Sequence, residues 1–141
     1  MTNYNASKKY AETEIQTSSQ GDLIVMLYQG CIKFLRLAKK SIEEENIHNT
    51  NEYMIRSQDI IMELLTTLNT EQGGEIATNL SALYEYLYRR MIKANMEKDT
   101  EIIDEVENIM LELLEAWQEA VKSDRKENGR DKLDITKGER K

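Results

Sequence analysis

Few side chains in this sequence could hold a metal ion, and their spacing argues against a metal site. A di-iron centre in a helical bundle needs two Glu-x-x-His pairs and further inward-pointing glutamates. The sequence has one such pair, Glu45-x-x-His48, and His48 is its only histidine. The same shortage of histidine and cysteine argues against zinc. We therefore expect neither a metal nor a cofactor.

Nucleophilic and phosphate-binding motifs are also missing. Cys31 is the only cysteine, and it lies on an apolar helical stripe with no histidine nearby in sequence, which is typical of a buried structural thiol. His48 lies in a polar stretch beside no candidate nucleophile, and no Gly-x-x-x-x-Gly-Lys loop is present. The run Glu43-Glu44-Glu45 is typical of a solvated helix end. The sequence predicts that the protein is not an enzyme.

Composition predicts a single helical domain. The chain has 141 residues, no proline and six glycines, so long helices meet few interruptions. A net charge of −7 argues against nucleic acid as a partner. One cysteine suits a reducing compartment, and no apolar run is long enough for a signal peptide or a membrane span. These features predict a soluble cytoplasmic protein without membrane insertion.

Four segments have apolar residues at helical spacing, at about 21–45, 51–68, 75–95 and 100–121. The connections between them are short, which makes sequence neighbours antiparallel packing neighbours. The predicted fold is therefore all-α, an antiparallel up-down four-helix bundle. We assign residues 1–17 to an N-terminal arm, 18–122 to the bundle, and 123–141 to a flexible charged tail, which is either disordered or a fraying extension of the fourth helix.

Capping residues mark the predicted helix ends. Ser18 or Ser19 can cap the first helix, with Asp22 in its positive first turn. Asn49 or Thr50 can cap the second helix, and Asp99 the fourth. The pair Gly73-Gly74 supplies the positive φ that often follows a helix end, here the end of the second helix.

The first and third helices carry more apolar surface than one packing face needs. On the first, Ile24 and Tyr28 begin a second stripe beside the one that contains Cys31. On the third, Tyr84, Tyr86 and Tyr88 point in different directions, so all three cannot be core. Two interpretations remain open: the extra tyrosines are rim residues with their hydroxyls in water, or they form an aromatic binding surface.

The order of several short segments resembles the FliS family of flagellin export chaperones. They are Asp22-Leu-Ile-x-Met-Leu-Tyr-x-Gly30, Ile60-Ile-x-Glu-Leu64, Leu68-Asn69, Gly74-Glu-Ile-Ala-x-Asn-Leu80, Leu83-Tyr-x-Tyr86 with Arg89-Arg90, Ala94-Asn95, Asp99 and Glu115-Ala-Trp117. No single segment is diagnostic, but their order and separations together are specific. One departure is Gln20-Gly21, where family members often have a proline before the first helix.

This resemblance implies a non-enzymatic role with one principal client, the C-terminal segment of flagellin. The chaperone would keep that segment from polymerising in the bacterial cytosol and deliver it to the type III export gate, whose membrane protein offers a cytoplasmic domain. A disordered client that folds into grooves between helices needs apolar anchors at helical spacing. The residues predicted to line the groove are Ile24, Leu27, Tyr28, Cys31, Ile61, Leu64, Leu68, Leu80, Tyr84 and Leu87.

The arm is predicted to dock through Tyr4 and Tyr10, to cover part of the groove without client, and to help engage the export gate. Family members often have a bulky residue three positions before Tyr10, where this chain has Ser7, so Tyr4 is the substitute. The alternative is a structural helical bundle whose extra apolar stripes bury in a homo-oligomer. We expect a monomer or a weak homodimer, and solution mass separates the two hypotheses.

Overall fold

The computed structural model describes the backbone of residues 20–68 and 70–139, and the side chains of residues 20–68 and 73–126. Within these residues the chain forms four helices and no strand, so the predicted all-α fold is confirmed. The predicted arm lies outside the described residues, and so do Ser18 and Ser19, the predicted caps of the first helix. The helices are α1 (Gln20–Glu43), α2 (Ile47–Thr67), α3 (Thr70–Glu97) and α4 (Thr100–Glu139).

The chain divides into two units. The larger, Met26–Leu113, contains most of α1, all of α2 and α3, and the first part of α4. Its core holds side chains from all four helices at helical spacing, which is why the periodic apolar positions of the sequence predicted it. The largest fully buried side chains of this unit are Tyr28, Tyr84, Leu35, Met54, Ile61, Leu64, Leu87, Met91, Ile103 and Met110.

Paired contacts within the larger unit show that α4 runs antiparallel to α1. Lys39 Nζ lies 2.8 Å from Asp104 Oδ1, and Arg36 Nε lies 2.5 Å from Glu107 Oε1. Moving three residues back along α1 therefore corresponds to moving three residues forward along α4. These ion pairs lie at the surface, so each adds less than about 1 kcal/mol, but they report the register.

Helix α2 also packs on α1. The rings of Phe34 and Tyr53 stack with their centroids 6.3 Å apart. At the connection, the buried hydroxyls of Ser41 and Thr50 lie 2.6 Å apart, and Ser41 also donates to the carbonyl of Ala38 at 2.7 Å. These hydrogen bonds satisfy polar groups that would otherwise be costly to bury.

The start of α2 corrects the predicted cap at Asn49 or Thr50. The N-cap is Asn46, whose Oδ1 accepts a hydrogen bond from the backbone N–H of Asn49 at 3.1 Å. The hydroxyl of Thr50 instead donates to the carbonyl of Asn46 and faces the core with Ser41. Asp99 is the predicted cap of α4, and its carboxylate accepts from the backbone N–H groups of the first turn, so this prediction is confirmed.

Helix α3 contains a break at Gly74, its fifth residue. Gly74 has φ 58° and ψ −138°, a conformation that side chains oppose and glycine permits. The regular part of α3 therefore begins after Gly74, at the predicted start near residue 75. The glycine pair does not end the second helix as predicted, because α2 ends at Thr67 with Leu68 as its C-cap. Helix α4 continues to Glu139; the division of residues 123–141 into a separate tail stays a prediction.

Two helices end in the left-handed conformation without a glycine. Glu45 has φ 60° and Lys98 has φ 53°, and each precedes a Schellman-type hydrogen bond, from Asn46 N to Ser41 O and from Asp99 N to Ala94 O. The exposed side chain of Glu45 makes no compensating hydrogen bond among the described contacts. By contrast, the ammonium of Lys98 donates to Asn51, to the carbonyl of Asn95 and to its side chain.

Substituting Glu45→Gly is therefore expected to raise the free energy of unfolding. Relief of the left-handed strain outweighs the larger entropy that glycine gives the unfolded chain, for a net gain of about 0.5–1 kcal/mol. Urea denaturation measures this gain. Lys98→Gly is the matched control, because it removes three hydrogen bonds together with the strain. An equal gain in both variants would contradict this assignment.

Candidate binding surface

Most of the residues predicted to line a client groove lie in the core. Seven of the ten have less than a tenth of their surface exposed, and the other three are half-buried. These seven pack within the fold, so a client contacts them only if the chain rearranges, and their binding role stays a prediction. The buried residues are Ile24, Tyr28, Cys31, Ile61, Leu64, Tyr84 and Leu87; the half-buried ones are Leu27, Leu68 and Leu80.

The three tyrosines of α3 have three different environments. Tyr84 is buried, and its hydroxyl lies 2.5 Å from that of Tyr28 on α1. Tyr86 is exposed and donates to a carboxylate oxygen of Glu105 at 2.7 Å. Tyr88 is half-buried. The expectation that all three cannot be core is confirmed.

Large apolar side chains remain exposed on the side of α2 that faces away from α1. Tyr53 stacks on Phe34 of α1, and Ile55 follows two residues later, roughly 200° around the helix. Met62 lies seven residues after Ile55, on the same side and about 10.5 Å along the axis. Ile55 is 52% exposed and Met62 is 45% exposed.

A second set of apolar side chains, two exposed and one half-buried, lies on the side of α3 that faces away from α4. Arg90 bonds Glu105 of α4, and Ile92 follows two residues later, roughly 200° around the helix. Tyr88 and Met96 lie one turn before and one turn after Ile92 on the same side. Ile92 is 37% exposed and Met96 is 80% exposed.

One set lies on α2 and the other on α3, and these two helices pack against each other. Lys98 Nζ donates to Asn51 Oδ1 at 2.5 Å, which fixes where the antiparallel helices meet. Ile55 follows Asn51 by four residues and Ile92 precedes Lys98 by six, so this register puts both side chains toward the same end of the helix pair. We call the five side chains the apolar strip: Ile55, Met62, Tyr88, Ile92 and Met96.

Sequence reasoning missed most of the apolar strip. Helical periodicity selects the residues that repeat toward one face, and those are the buried ones. Ile55 and Met62 fall beside that face, at positions where a polar residue would serve the fold equally well. Their signal in the sequence is the doubled apolar pair, Met54-Ile55 and Ile61-Met62, in which one member is buried and the other exposed.

On the opposite side of α3, a polar cluster joins α3 to α4. Arg90 donates two hydrogen bonds to the carboxylate of Glu105, at 3.2 and 3.0 Å, and Tyr86 donates a third. The hydrogen bonds from Arg90 and then Tyr86 lower the pKa of Glu105 below its ordinary value. The hydrogen bond to the Glu105 carboxylate raises the pKa of Tyr86 above its ordinary value. The cluster sets the contact between the two helices, and its exposure limits what it adds to stability.

Cys31 is placed as an inert core thiol, as predicted. Its Sγ is fully buried and lies 3.8 Å from the carbonyl oxygen of Ser57, a long and weak contact. Burial raises the pKa of the Cys31 thiol from 9.0 to about 12. A thiol that is neither accessible nor ionised is a poor nucleophile.

The described part of the chain contains no group of three or more histidine, cysteine, aspartate and glutamate side chains that could hold a metal ion. The predicted Glu45-x-x-His48 pair lies exposed, with Glu45 in the connection and His48 in the first turn of α2. None of the described helices is apolar over a length that would cross a bilayer.

The described residues thus form an all-α bundle with an apolar strip on its surface, an arrangement that helix-in-groove recognition uses. The family model described as flagellar protein FliS matches residues 2–124 of this sequence. The chain belongs to the FliS family, whose role is that of a chaperone in flagellar export and not that of an enzyme.

Two relatives agree with this assignment. The flagellar secretion chaperone FliS of Bacillus subtilis is 39% identical, covering 87% of this chain and 91% of its own. The flagellar secretion chaperone FliS of Salmonella typhimurium is 37% identical, and the match covers 82% of this chain and 91% of that protein. A solved structure, a bacterial flagellar chaperone, superposes with a TM-score of 0.70 at 18% identity over 86% of this chain and 98% of that one, and it supports the fold.

Proposed function

We propose that this protein binds the C-terminal segment of flagellin in the bacterial cytosol, prevents its premature polymerisation, and hands it to the flagellar type III export apparatus. Family membership supplies the chaperone role. The observation that carries the proposal for this chain is the apolar strip, because it offers exposed anchors on two packed helices.

The apolar strip suits an amphipathic helix that forms on binding. Its anchors recur at intervals of four and seven residues, the intervals at which an opposing helix presents its own apolar side chains. Met62 and Met96 add flexible thioethers that adapt to an irregular partner. Ordering a disordered client costs about 2–5 kcal/mol of the gross interaction energy, so the contact must extend over several turns.

The ten groove residues predicted from the sequence have a secondary role in this proposal. Leu27, Leu68 and Leu80 are half-buried and can contribute to a client contact directly. The seven buried residues would contribute by shaping the packing beneath it. Under this proposal the first anchors that a client meets are those of the apolar strip.

Titration with a peptide that copies the last roughly 40 residues of the flagellin from the same cell tests the proposal; as a helix it would extend about 60 Å. We expect saturable binding with a gain of helical circular dichroism and a negative heat-capacity change, because apolar surface is buried as the peptide folds. A peptide of the same composition in scrambled order is the control. Equal binding of both peptides would contradict a specific client site.

The arm is proposed to cover part of the client site and, once released, to contact the membrane protein of the export gate through Tyr4 and Tyr10. Deletion of residues 1–17 is then expected to raise the affinity for the flagellin peptide, because the peptide no longer displaces the arm. Calorimetry on both proteins measures the change. Unchanged affinity would remove the covering role and leave the client site itself untouched.

The oligomeric state is proposed as a monomer or a weak homodimer. Light scattering over a range of concentrations checks it. An obligate dimer that does not bind the flagellin peptide would favour the structural homo-oligomer instead.

A further inference from the structure

The methionines of this chain fall into two classes by their exposure. Six of the seven lie among the described residues, and the larger unit contains all six. Three of them are fully buried, whereas the other three have more than a third of their surface exposed. The buried methionines are Met54, Met91 and Met110, and the exposed ones are Met26, Met62 and Met96.

Other sulfur atoms of the described chain are absent from the surface. The smaller unit has no methionine among its described residues, 20–25 and 114–139, within which Asp22 and Arg125 form an ion pair. Cys31, the only cysteine of the sequence, is fully buried, so the fold shields its thiol from an oxidant. A mild oxidant that meets the folded protein therefore finds its reactive sulfur in the three exposed thioethers.

Two of these thioethers lie at opposite ends of the apolar strip. The hydrogen bond from Lys98 to Asn51 marks one end of the α2–α3 pair. Met96 lies two residues before Lys98, about 3 Å along the axis, and Met62 lies eleven residues after Asn51, about 16 Å along it. The two positions are therefore separated by roughly 13 Å along the helix pair. A partner helix that follows the strip has to contact both.

A hydroperoxide converts such a thioether to a sulfoxide in one step. With hydrogen peroxide, the sulfur lone pair attacks one oxygen, the O–O bond breaks as the S–O bond forms, and the other oxygen leaves as water. The sulfur loses two electrons, which the peroxide gains. Methionine sulfoxide is polar and chiral, and sulfoxide reductases, one for each epimer, return it to the thioether. In that reaction the oxygen leaves as water and a dithiol becomes a disulfide.

We propose that Met62 and Met96 are sites of reversible oxidation by hydroperoxides, and that their oxidation stops the apolar strip from binding its partner. The identity of that partner rests on the proposed function. A sulfoxide oxygen pressed against an apolar partner loses its hydration without gaining a hydrogen bond, which opposes binding. The three buried methionines are out of reach of the oxidant, so the surface changes while the fold is kept.

Peptide mapping by mass spectrometry locates the added oxygen after timed treatment of the full chain with hydrogen peroxide. We expect Met62 and Met96 to be oxidised at least about tenfold faster than the three buried methionines, because reaction follows exposure. Urea denaturation of the treated protein is expected to show that the fold is retained. Equal rates at the exposed and the buried positions would overturn the assignment of the two sites.

Calorimetry with the flagellin peptide measures the effect on binding, after catalase has removed the peroxide. Oxidation is expected to weaken binding by at least about tenfold, which corresponds to 1.4 kcal/mol, and both reductases together are expected to restore it. In the double variant Met62→Leu, Met96→Leu, peroxide is expected to change the affinity by less than about twofold relative to the same variant before treatment. Met26→Leu is the matched control, because Met26 lies outside the apolar strip, and it is expected to keep the full loss.

Hydrophobic-interaction chromatography detects the same surface change without flagellin. The oxidised protein is expected to elute earlier than the untreated protein, because two apolar side chains of the strip have become polar. The shift is expected to be smaller in the double leucine variant than in Met26→Leu, which keeps both thioethers of the strip.

Two further results would overturn the proposal. One is an equal loss of affinity on oxidation in the double leucine variant and in Met26→Leu, and the other is an elution that peroxide leaves unchanged. A protein that fails to bind the flagellin peptide before any peroxide is added would count against the proposed function. Peptide mapping and elution would then still decide the oxidation sites, so the two proposals fail separately.

Discussion

Replacing Ile55 and Met62 together with glutamate is expected to weaken binding of the flagellin peptide by at least about tenfold. Full burial of such a side chain is worth about 1.5–3 kcal/mol, and both are about half exposed in the free protein, so each has roughly 1 kcal/mol left to contribute. Their sum exceeds the 1.4 kcal/mol that corresponds to a factor of ten. The buried carboxylates would add to the loss.

Leu111→Glu is the matched control for this variant. Leu111 is an exposed apolar residue of α4, 37% exposed, and lies outside the apolar strip. This variant adds one negative charge, half of what the double variant adds, and is expected to keep its affinity within about twofold, well under the tenfold that 1.4 kcal/mol represents. Calorimetry gives the affinities, and urea denaturation shows that stability is retained. Similar affinity in the double variant and the unmodified protein would place the client elsewhere.

Ionisation of Cys31 is expected to make the folded protein lose stability in alkaline solution. Burial raises the pKa of this thiol from 9.0 to about 12, so the unfolded chain loses the proton first as pH rises. Between these values the unfolded state binds fewer protons, and the free energy of unfolding falls by about 1.4 kcal/mol per pH unit. The contribution is fully present below about pH 9 and is lost as pH approaches 12.

Comparison with Cys31→Ala isolates this effect. Both proteins carry the same tyrosines and lysines, so the other titrations near this pH cancel in the difference. Urea denaturation from about pH 8 to about pH 11 is expected to show the unmodified protein losing its advantage over Cys31→Ala above pH 9. Parallel pH profiles of the two proteins would show that the thiol ionises without cost and is therefore not buried.

The sequence predicted the helices because their apolar residues repeat strongly. An error at the start of the second helix, the cap at Asn49 or Thr50, has a local cause. The connection offers three side chains that can cap, and the choice depends on the core, since Thr50 is drawn to the buried hydroxyl of Ser41. That partner is nine residues away, and spacing alone does not reveal it. Asn46 is therefore the residue that caps the helix.

The candidate site was harder to predict than the fold. Periodicity finds the residues that face the centre of the bundle, so Tyr28 and Leu64 were chosen for a groove and lie buried. Residues that we propose for binding, such as Met62, lie beside the periodic face, and no requirement of the fold selects them. Locating them required the contacts that orient each helix, here Tyr53 with Phe34 on one side of α2.

The ion pair between Asp22 and Arg125 has a mechanical consequence. It joins the first turn of α1 to Arg125, fourteen residues before the end of α4, within one unit. A force that pulls the start of α1 away from this part of α4 would therefore open this contact and then separate the two helices one turn at a time. Such unzipping loads few bonds at once, so the protein should yield at low tension, whatever its resistance to urea.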